Sequence, residues 1–319
     1  MKRKDFIKGS AILGASPALD KLVLASGMTK STSVRKVRMI LNADRTKVGT
    51  LPILRAFSGK HKDYVSPFVL FDEFGPVELE KESHPLRVDA HPHAGVTPTT
   101  YFLEGSGHHK DSLNYDFQIK KGDFMLFSSG SGAIHMEESG QSLQDHGGIY
   151  HGFQIWLNTP KKYKWEKPFT KVYSGEDLSH LDNEQFEANV ILGKLFEAKS
   201  SVETFSPAFY YHIKLKANGR IDIPSNPNHN VFVYAIKGNT ELEGKQSLEA
   251  NQIALYERGE SLVNLFSAAG SELLVLGGEP LDEIVYSYGP FVMNSAEEIN
   301  QCIANYHAGK MGNPDLVNQ

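Results

Sequence analysis

Short β-prone runs separated by turn-forming residues dominate the first half of the chain. Examples are residues 34–41, 99–103, 124–127 and 152–157, and glycine, proline, asparagine and aspartate lie between them. Hardly any stretch of this half places apolar residues at helical spacing. Many short strands joined by polar turns are typical of β-sandwiches and β-barrels. The sequence therefore predicts an all-β fold for this half.

The second half of the chain repeats this organisation. Residues 209–215, 219–223, 230–236 and 252–256 are further β-prone runs in a similar order, which indicates an internal duplication. The chain of 319 residues is also longer than one ordinary domain. We therefore predict two similar antiparallel β-barrels in tandem.

A change of composition marks the boundary between the predicted barrels. A Lys-rich stretch begins after Pro160. It predicts a linker at residues 161–175, between an N-terminal domain at 31–160 and a C-terminal domain at 176–319. These limits leave out residues 1–30, which have a different character.

The last part of the chain has the pattern of a helix. Apolar residues recur at helical spacing from Ile299 to Tyr306, and Ser295 is followed by Glu298 three residues later. This Ser and Glu spacing is that of a capping box at the start of a helix. The C-terminal domain should therefore end in an α-helix.

Charge and cysteine content exclude several classes of function. The formal net charge is -5 and the pI is near 6.2, which disfavours direct binding to nucleic acid. Cys302 is the single cysteine, so an intramolecular disulfide and a thiolate-rich metal site are both excluded. Imidazole and carboxylate groups must therefore hold any metal ion. The sequence also contains no apolar stretch long enough to predict a membrane span.

Residues 1–30 have the layout of an export signal. A basic start is followed by mostly small and apolar residues at 11–19 and by a candidate cleavage site at 23–25. The segment from Arg3 to Lys8 resembles the twin-arginine export motif, with Lys4 in place of the second arginine. This pattern predicts export to the periplasm. The alternative is a short amphipathic helix on a cytoplasmic protein.

Two short motifs carry candidate metal ligands. His91 and His93 flank a proline, and His135 and Glu137 flank Met136. Side chains two apart on an extended segment point to the same face, so each pair could enter a barrel interior. Pro92 restricts its segment to an edge strand, a strand end or a bulge. Three imidazoles and one carboxylate suit Fe, Mn, Ni, Cu or Zn, and they leave two positions open on an octahedral ion.

Other polar residues receive simpler interpretations. His108 and His109 follow Gly107 and are expected in an exposed turn, and Asp111 should cap a turn. Glu104 is expected to be structural, with contact to a metal-binding imidazole as the alternative. His146 and His151 could line the barrel mouth. The second barrel has no H-x-H motif, and its His212 and His229 are far apart, so its expected role is packing, closing the first barrel or shaping its entrance.

Several sequence blocks, in order from about Val34 to about Lys310, resemble the pirin family. They are FDEFGP at 71–76, HPHAG at 91–95, TYFLEG at 100–105, KDS at 110–112, GSGAIH at 130–135, QIWLN at 154–158 and YGPFVMN at 288–294. The resemblance implies two tandem cupin domains of the jelly-roll type. It also implies an iron(II) site in the N-terminal barrel, with His91, His93, His135 and Glu137 as ligands. The C-terminal barrel would have no metal site.

The same resemblance implies two classes of function. One is a quercetinase-like dioxygenase that acts on flavonol or catechol-like phenols with dioxygen, in which Glu137 accepts the phenol proton. The other is a metal-dependent regulatory protein that acts through a protein partner. A cupin isomerase or hydrolase is a third interpretation. The family usually has arginine after HPH, whereas this chain has Ala94, so the charge near the site is expected to differ.

The export hypothesis can be tested with residues 1–30 alone. Fused to a reporter, this segment should direct export, and the double change Arg3→Gln and Lys4→Gln should abolish it because the basic pair is lost. The measurement is reporter activity in the periplasmic and cytoplasmic fractions. Retention of both fusions in the cytoplasm would contradict the hypothesis.

Overall fold

The computed structural model describes residues 33–58 and 62–318, so the predicted export segment lies outside the described residues. Strands occupy most of the first half, as the sequence predicts. They are β1 (Val37–Asn42), β2 (Asp44–Val48), β3 (Leu51–Ser58), β4 (Phe68–Leu79), β5 (Arg87–His93), β6 (Val96–Glu104), β7 (Ser106–Asp111), β8 (Asp116–Lys120), β9 (Phe124–Ser128), β10 (Ala133–Ser139), β11 (Gly148–Asn158) and β12 (Phe169–Tyr173).

The second half contains the remaining strands and the longest helix of the described chain. The strands are β13 (Ser179–Asp182), β14 (Phe186–Leu192), β15 (Lys194–Leu195), β16 (Ala198–Lys199), β17 (Ala208–Leu215), β18 (Gly219–Pro224), β19 (Asn230–Glu241), β20 (Ser247–Glu249), β21 (Gln252–Tyr256), β22 (Leu262–Ser267), β23 (Ser271–Gly278), β24 (Tyr286–Tyr288) and β25 (Phe291–Met293). The helices are α1 (Lys62–Val65), α2 (Gln141–His146), α3 (Ala296–His307) and α4 (Pro314–Val317). Within the described residues, no helix is long and apolar enough to cross a membrane.

The strands form two β-barrels, which confirms the predicted fold class. The N-terminal barrel has a seven-stranded sheet in the order β12-β9-β6-β11-β4-β3-β2 and a four-stranded sheet in the order β5-β10-β7-β8. The second barrel is built from a ten-stranded sheet whose main path is β1-β21-β19-β23-β17-β14-β13. The four-stranded sheet carries the candidate ligands.

Aromatic side chains from both barrels share one hydrophobic cluster. The Phe232 ring of β19 makes edge-on contacts with Phe57 and Phe68 of the first barrel, each with ring centroids 5.3 Å apart. Phe71 lies 4.8 Å from Tyr234 by the same measure. Because these rings are buried, the two barrels exclude water along a common face.

Strand pairing crosses the predicted domain boundaries, which themselves stay a prediction. Strand β1 pairs with β21 of the second barrel, with Ile40 opposite Ala254. Strand β12 lies inside the predicted linker, yet it pairs with β9 of the first barrel. An added strand covers the backbone N–H and C=O groups that a sheet edge would otherwise expose. This is a physical reason for the pairing of β1 with β21 and of β12 with β9.

The end of the chain returns to the first barrel. Val292 of β25 donates its N–H to the carbonyl of Ala94, and Phe291 forms an isolated bridge with Ala94. Gly95 has a φ of +71°, and a Cβ there would lie 2.2 Å from the Val292 carbonyl oxygen. A glycine is therefore required where the C-terminal segment crosses the HPHAG motif.

The predicted C-terminal helix and its cap are confirmed. Helix α3 begins after Ser295, whose hydroxyl accepts the N–H of Glu298 at 3.2 Å. The Glu298 carboxylate accepts the N–H of Asn294, one residue before the cap, at 2.8 Å, so the serine and glutamate side chains each satisfy a backbone donor near the start of the helix. Ile299 and Cys302 form the buried side of the helix.

Lys164 joins three segments near the candidate site. Its buried ammonium donates to the carbonyls of Gly95 and Val292 and to the Asn158 side chain, at 2.6, 2.7 and 2.6 Å respectively. These contacts connect the HPHAG motif, the end of β11 and β25. Lys164 thus fixes the returning C-terminal segment to the first barrel.

We expect Lys164→Met to lower the free energy of unfolding by about 3 kcal/mol, because three buried acceptors lose their donor. Urea unfolding monitored by circular dichroism measures the difference. Lys167→Met, at an exposed position on the same segment, is the matched control and should change stability little. Equal stability of the two variants would contradict this role of Lys164.

Candidate metal centre

Strand β10 brings the candidate ligands together because it pairs with a strand on each side. His135 lies opposite His91 of β5 and opposite Asp111 of β7. Glu137, two residues along β10, lies opposite His109 of β7. Side chains two apart share a face, so His135 and Glu137 both point to the interior. Strand β5 lies at the sheet edge, as Pro92 predicts.

The structure groups these residues in two overlapping sets. The ligand atoms of His91, His93 and His135 all lie within 4.8 Å of one another, and the same holds for His109, His135 and Glu137. His135 belongs to both sets. The predicted ligand quartet thus lies in one region, and its assignment as a ligand set stays a prediction.

Burial keeps the three histidines of the first set neutral. His93 and His135 are fully buried, and burial lowers the pKa of each ring well below its usual value, with further lowering from neighbouring histidines. Burial also lowers the pKa of His91. A neutral imidazole offers a lone pair to a metal ion, whereas a protonated ring cannot. All three rings are therefore in the form that binds metal near neutral pH.

Hydrogen bonds orient two of these rings toward a common space. The Nδ1–H of His91 donates to the carbonyl of Asp89 at 2.8 Å, which leaves Nε2 as an acceptor. That Nε2 lies 3.1 Å from Nε2 of His135. Two nitrogens aimed at the same point suit a shared cation.

The third ring provides the test of fit for a metal ion. The ring nitrogens of His93 make no well-formed hydrogen bond within the described part of the chain, although the side chain is fully buried and the backbone of Pro290 lies close enough to raise its pKa. Buried polar atoms almost always have a hydrogen-bond partner. A buried imidazole without such a partner lowers the free energy of unfolding. A metal ion bound at His93 would satisfy this ring. The residues present therefore fit a metal ion.

The carboxylate of Glu137 is held by neighbours from the opposite sheet. One oxygen accepts the hydroxyl of Thr100 at 3.2 Å, and the other accepts the side-chain N–H of Gln154 at 2.5 Å. The Gln154 amide oxygen in turn accepts the indole N–H of Trp156 at 3.2 Å. The orientation of Glu137 therefore depends on β6 and β11 as well as on its own strand.

A cavity of about 530 Å³ opens onto this cluster. His91, His93 and Glu137 are among the residues that line it. The rest of the wall is largely apolar, with Val48, Leu51, Ile53, Phe74, Phe102, Ile119 and Trp156. Small-molecule sites typically have volumes of about 300–1,000 Å³ and predominantly apolar walls. The cavity therefore has the size and lining of a site for a small organic molecule.

The expectation of an exposed turn at His108 and His109 is wrong. Both lie on β7, where buried residues alternate with partly exposed ones, and His109 is fully buried beside His135. Gly107 does not end the strand, because β7 pairs on both sides and continues to Asp111. The His109 and Asp111 spacing is the same two-residue signal as in His91 and His93. The sequence does not reveal this pair by itself, because a glycine before it favours a turn as readily as a strand.

The expectations for Asp111 and Glu104 agree with the structure. Asp111 accepts the N–H groups of Leu113 and Tyr115, which confirms the turn-capping role. Glu104 is exposed and pairs with Lys121 at 2.8 Å, as expected for a structural residue.

The histidines expected at the barrel mouth lie elsewhere. His151 is buried and bonds to Glu73 at 2.6 Å, beside a different cavity from the one above the histidine cluster. His146 ends the short helix α2, where its ring contacts the Ser142 carbonyl. Neither residue lines the cavity above the cluster, so this expectation is wrong.

Ala94, which replaces the usual arginine, does not face the cavity. It is fully buried in an apolar cluster with Ile134, Phe291, Met293 and neighbouring residues. Among the described residues, the Lys or Arg side chain that lines the cavity is Arg55, which forms two hydrogen bonds with Asp72 at 2.8 and 2.6 Å. In the described part of the cavity wall, a guanidinium group is therefore supplied by β3 and not by the residue after HPH.

The fold and this cluster define a cupin-type β-barrel protein with a site suited to a metal ion. Two family models match the chain: Pirin at residues 50–157 and the Pirin C-terminal cupin domain at residues 210–312. A pirin-like protein of Caulobacter vibrioides is 32% identical over 285 residues, which cover 88% of this chain and 96% of that protein. The chain belongs to the pirin family.

Proteins named for dioxygenase activity are also similar. A Pseudomonas aeruginosa protein, provisionally named a quercetin 2,3-dioxygenase, is 32% identical over 276 residues, with 84% of this chain and 95% of that protein covered. The crystal structure of a quercetin 2,3-dioxygenase from Acinetobacter baumannii superimposes with a TM-score of 0.85 at 28% identity. That match covers 88% of this chain and 100% of the other.

Single substitutions test the predicted ligand set. We expect His91→Ala and Glu137→Ala each to lower metal affinity by at least about tenfold, because each removes a ligand atom. The measurement is metal content by elemental analysis after anaerobic loading with iron(II). His108→Ala is the control, since that ring bonds to Glu138 and Asp116 and belongs to neither set of grouped ligand atoms. Equal metal loss in all three variants would show that the assignment is wrong.

Proposed function

We propose that this protein is an iron-dependent dioxygenase that acts on flavonol or catechol-like phenols. The observation that carries the proposal is the histidine and glutamate cluster, three of whose residues, His91, His93 and Glu137, line a largely apolar cavity. The similar proteins named as quercetin 2,3-dioxygenases support the same substrate class. Manganese, nickel, copper and zinc are alternative metals, because the same ligands suit them.

The cavity walls favour a flat aromatic substrate. Phe74, Phe102, Tyr150 and Trp156 place aromatic surface around the cavity, and aliphatic residues complete the wall. Aromatic rings bury large areas and prefer offset or edge-on contact with other rings. A phenolic ring system would therefore bind with its plane against these side chains and its hydroxyl groups toward His91, His93 and Glu137.

Polar groups in the wall would orient the substrate hydroxyls. Arg55 and Asp72 form a paired donor and acceptor set on one side of the cavity, and Glu137 and Gln154 form another. A few placed polar groups in an apolar cavity give orientation and specificity. This arrangement suits a molecule with several hydroxyls better than a hydrocarbon.

Glu137 is the group that would accept the phenol proton. The predicted ligands His91, His93, His135 and Glu137 would hold the metal, and iron(II) would supply the electron-transfer chemistry that dioxygen requires. Thr100 and Gln154 each donate a hydrogen bond to one carboxylate oxygen of Glu137, so the carboxylate group stays within the cavity. A carboxylate within hydrogen-bond reach of a hydroxyl can act as a general base.

Glu137→Gln tests this role. The amide keeps the shape of the carboxylate but cannot accept the proton, so we expect oxygen consumption with quercetin to fall by at least about 100-fold. The assay uses an oxygen electrode with iron-loaded protein and metal content measured in parallel. Glu104→Gln is the matched control, because Glu104 is exposed and paired with Lys121. Undiminished turnover at retained metal content would exclude Glu137 as the base.

A regulatory protein that acts through a protein partner is the second candidate. Ile284, Tyr286 and Tyr288 are exposed at 68%, 47% and 66% on the segment that leads to Gly289 and Pro290 in the cavity wall. Clustered exposed apolar residues are a feature of protein contact surfaces. Absence of oxygen consumption across a broad panel of phenols with iron-loaded wild-type protein would favour this candidate. We also propose that the protein is exported to the periplasm. Export would favour the enzyme, because an exported protein could not act on cytoplasmic partners.

A further inference from the structure

We propose that His109 and Asp111 form a hydrogen-bonded chain that positions His135 for metal binding. His135 donates its Nδ1–H to Nδ1 of His109, and His109 donates its Nε2–H to Asp111. The inference rests on the metal-binding part of the proposed function and is independent of the substrate. His109 and Asp111 are positioning residues, because they act through His135.

The first step concerns the proton on His135. Its Nε2 faces Nε2 of His91 at 3.1 Å, so Nε2 is the atom directed at the shared space. A ring that binds metal through Nε2 must carry its proton on Nδ1. This Nδ1–H needs an acceptor because the side chain is fully buried.

His109 supplies that acceptor. Its Nδ1 lies 3.5 Å from Nδ1 of His135, and the two ring centroids are 5.3 Å apart. Two imidazole nitrogens form a hydrogen bond only when one carries the proton and the other has a free lone pair. His109 must therefore carry its own proton on Nε2.

Asp111 sets this tautomer of His109. Its Oδ2 lies 3.1 Å from Nε2 of His109, and both side chains are fully buried. A carboxylate beside Nε2 favours the proton there and leaves Nδ1 free to accept. The tautomers of His109 and His135 are therefore coupled through one chain of contacts.

Asp111 is itself held as an anion. Burial alone would raise the pKa of Asp111, but hydrogen bonds from His109, Thr170 and the Tyr115 backbone outweigh this effect and lower it. The Thr170 hydroxyl donates to Oδ2 at 2.5 Å, and the N–H of Leu113 donates to Oδ1 at 2.9 Å. Thr170 lies on β12, so a strand in the predicted linker supports the chain.

Packing prevents the two rings from turning away. Phe127 stacks on His135 with centroids 4.6 Å apart and an interplanar angle of 24°. The same Phe127 contacts the His109 ring at a centroid distance of 5.6 Å. The orientation of both imidazoles is thus set by β9 as well as by their own strands.

The hydrogen-bonded chain through His109 and Asp111 distinguishes His135 from the other histidines of the cluster. His91 donates to a neutral backbone carbonyl, and His93 contacts the neutral backbone of Pro290 without a well-formed hydrogen bond. A carboxylate at the end of the chain increases the basicity of His135 and strengthens its bond to a metal ion. Among the three histidines, His135 should therefore make the largest contribution to metal affinity.

Titration of metal-free protein with cobalt(II) tests the chain without any substrate. His109→Phe keeps a ring against Phe127 but removes the acceptor, and it should lower cobalt affinity by about 10- to 100-fold and shift the visible absorption bands. His109→Asn places an amide oxygen near the former Nδ1 and should restore most of the affinity. Asp111→Asn should give an intermediate loss. His108→Ala, on the same strand, is the matched control.

Thermal unfolding of each metal-free variant separates loss of affinity from loss of folding. Unchanged affinity and spectrum in folded His109→Phe would overturn the chain. Complete loss of cobalt binding, equal to that of His135→Ala, would make His109 a direct ligand and also overturn it. Equal losses in His109→Phe and His109→Asn would exclude the hydrogen bond. If the wild-type protein binds cobalt but its iron-loaded form does not turn over quercetin, only the proposed dioxygenase activity is overturned. If the wild-type protein does not bind cobalt, both proposals are overturned.

Discussion

The pairing of β10 with β5 on one side and β7 on the other is the constraint on which the site depends. In an antiparallel sheet each residue has a defined neighbour on both sides, and successive side chains point to opposite faces. His135 therefore lies between His91 and Asp111, and Glu137 lies beside His109. A slip of one residue would turn His135 and Glu137 away from the interior.

The opposite face of β10 explains why this register is stable. Ile134 and Met136 are buried in an apolar cluster with Phe291, Ile299 and Cys302 from the end of the chain. Burial of such side chains contributes about 1.5–3 kcal/mol each, which a slipped register would lose. The C-terminal segment therefore supports the site from behind, and Lys164 fixes that segment to the HPHAG motif.

Much of the site could be predicted because alternation in a strand is a local property. The pairs His91 and His93, and His135 and Glu137, show the two-residue spacing directly in the sequence. The third pair, His109 and Asp111, has the same spacing but follows Gly107, which indicates a turn as readily as a strand. The structural role of Glu104 and the cap at Ser295 also followed from local signals.

The sequence by itself determined the all-β character, the approximate strands, the C-terminal helix and the side chains that share a face. Each of these depends on residues a few positions apart, so propensity and periodicity report it. Only the tertiary structure decided that β7 lies beside β10, that β1 joins the second barrel and that the end of the chain covers the first. Strand partners depend on the burial of both faces and on contacts between distant segments, and no local pattern records these.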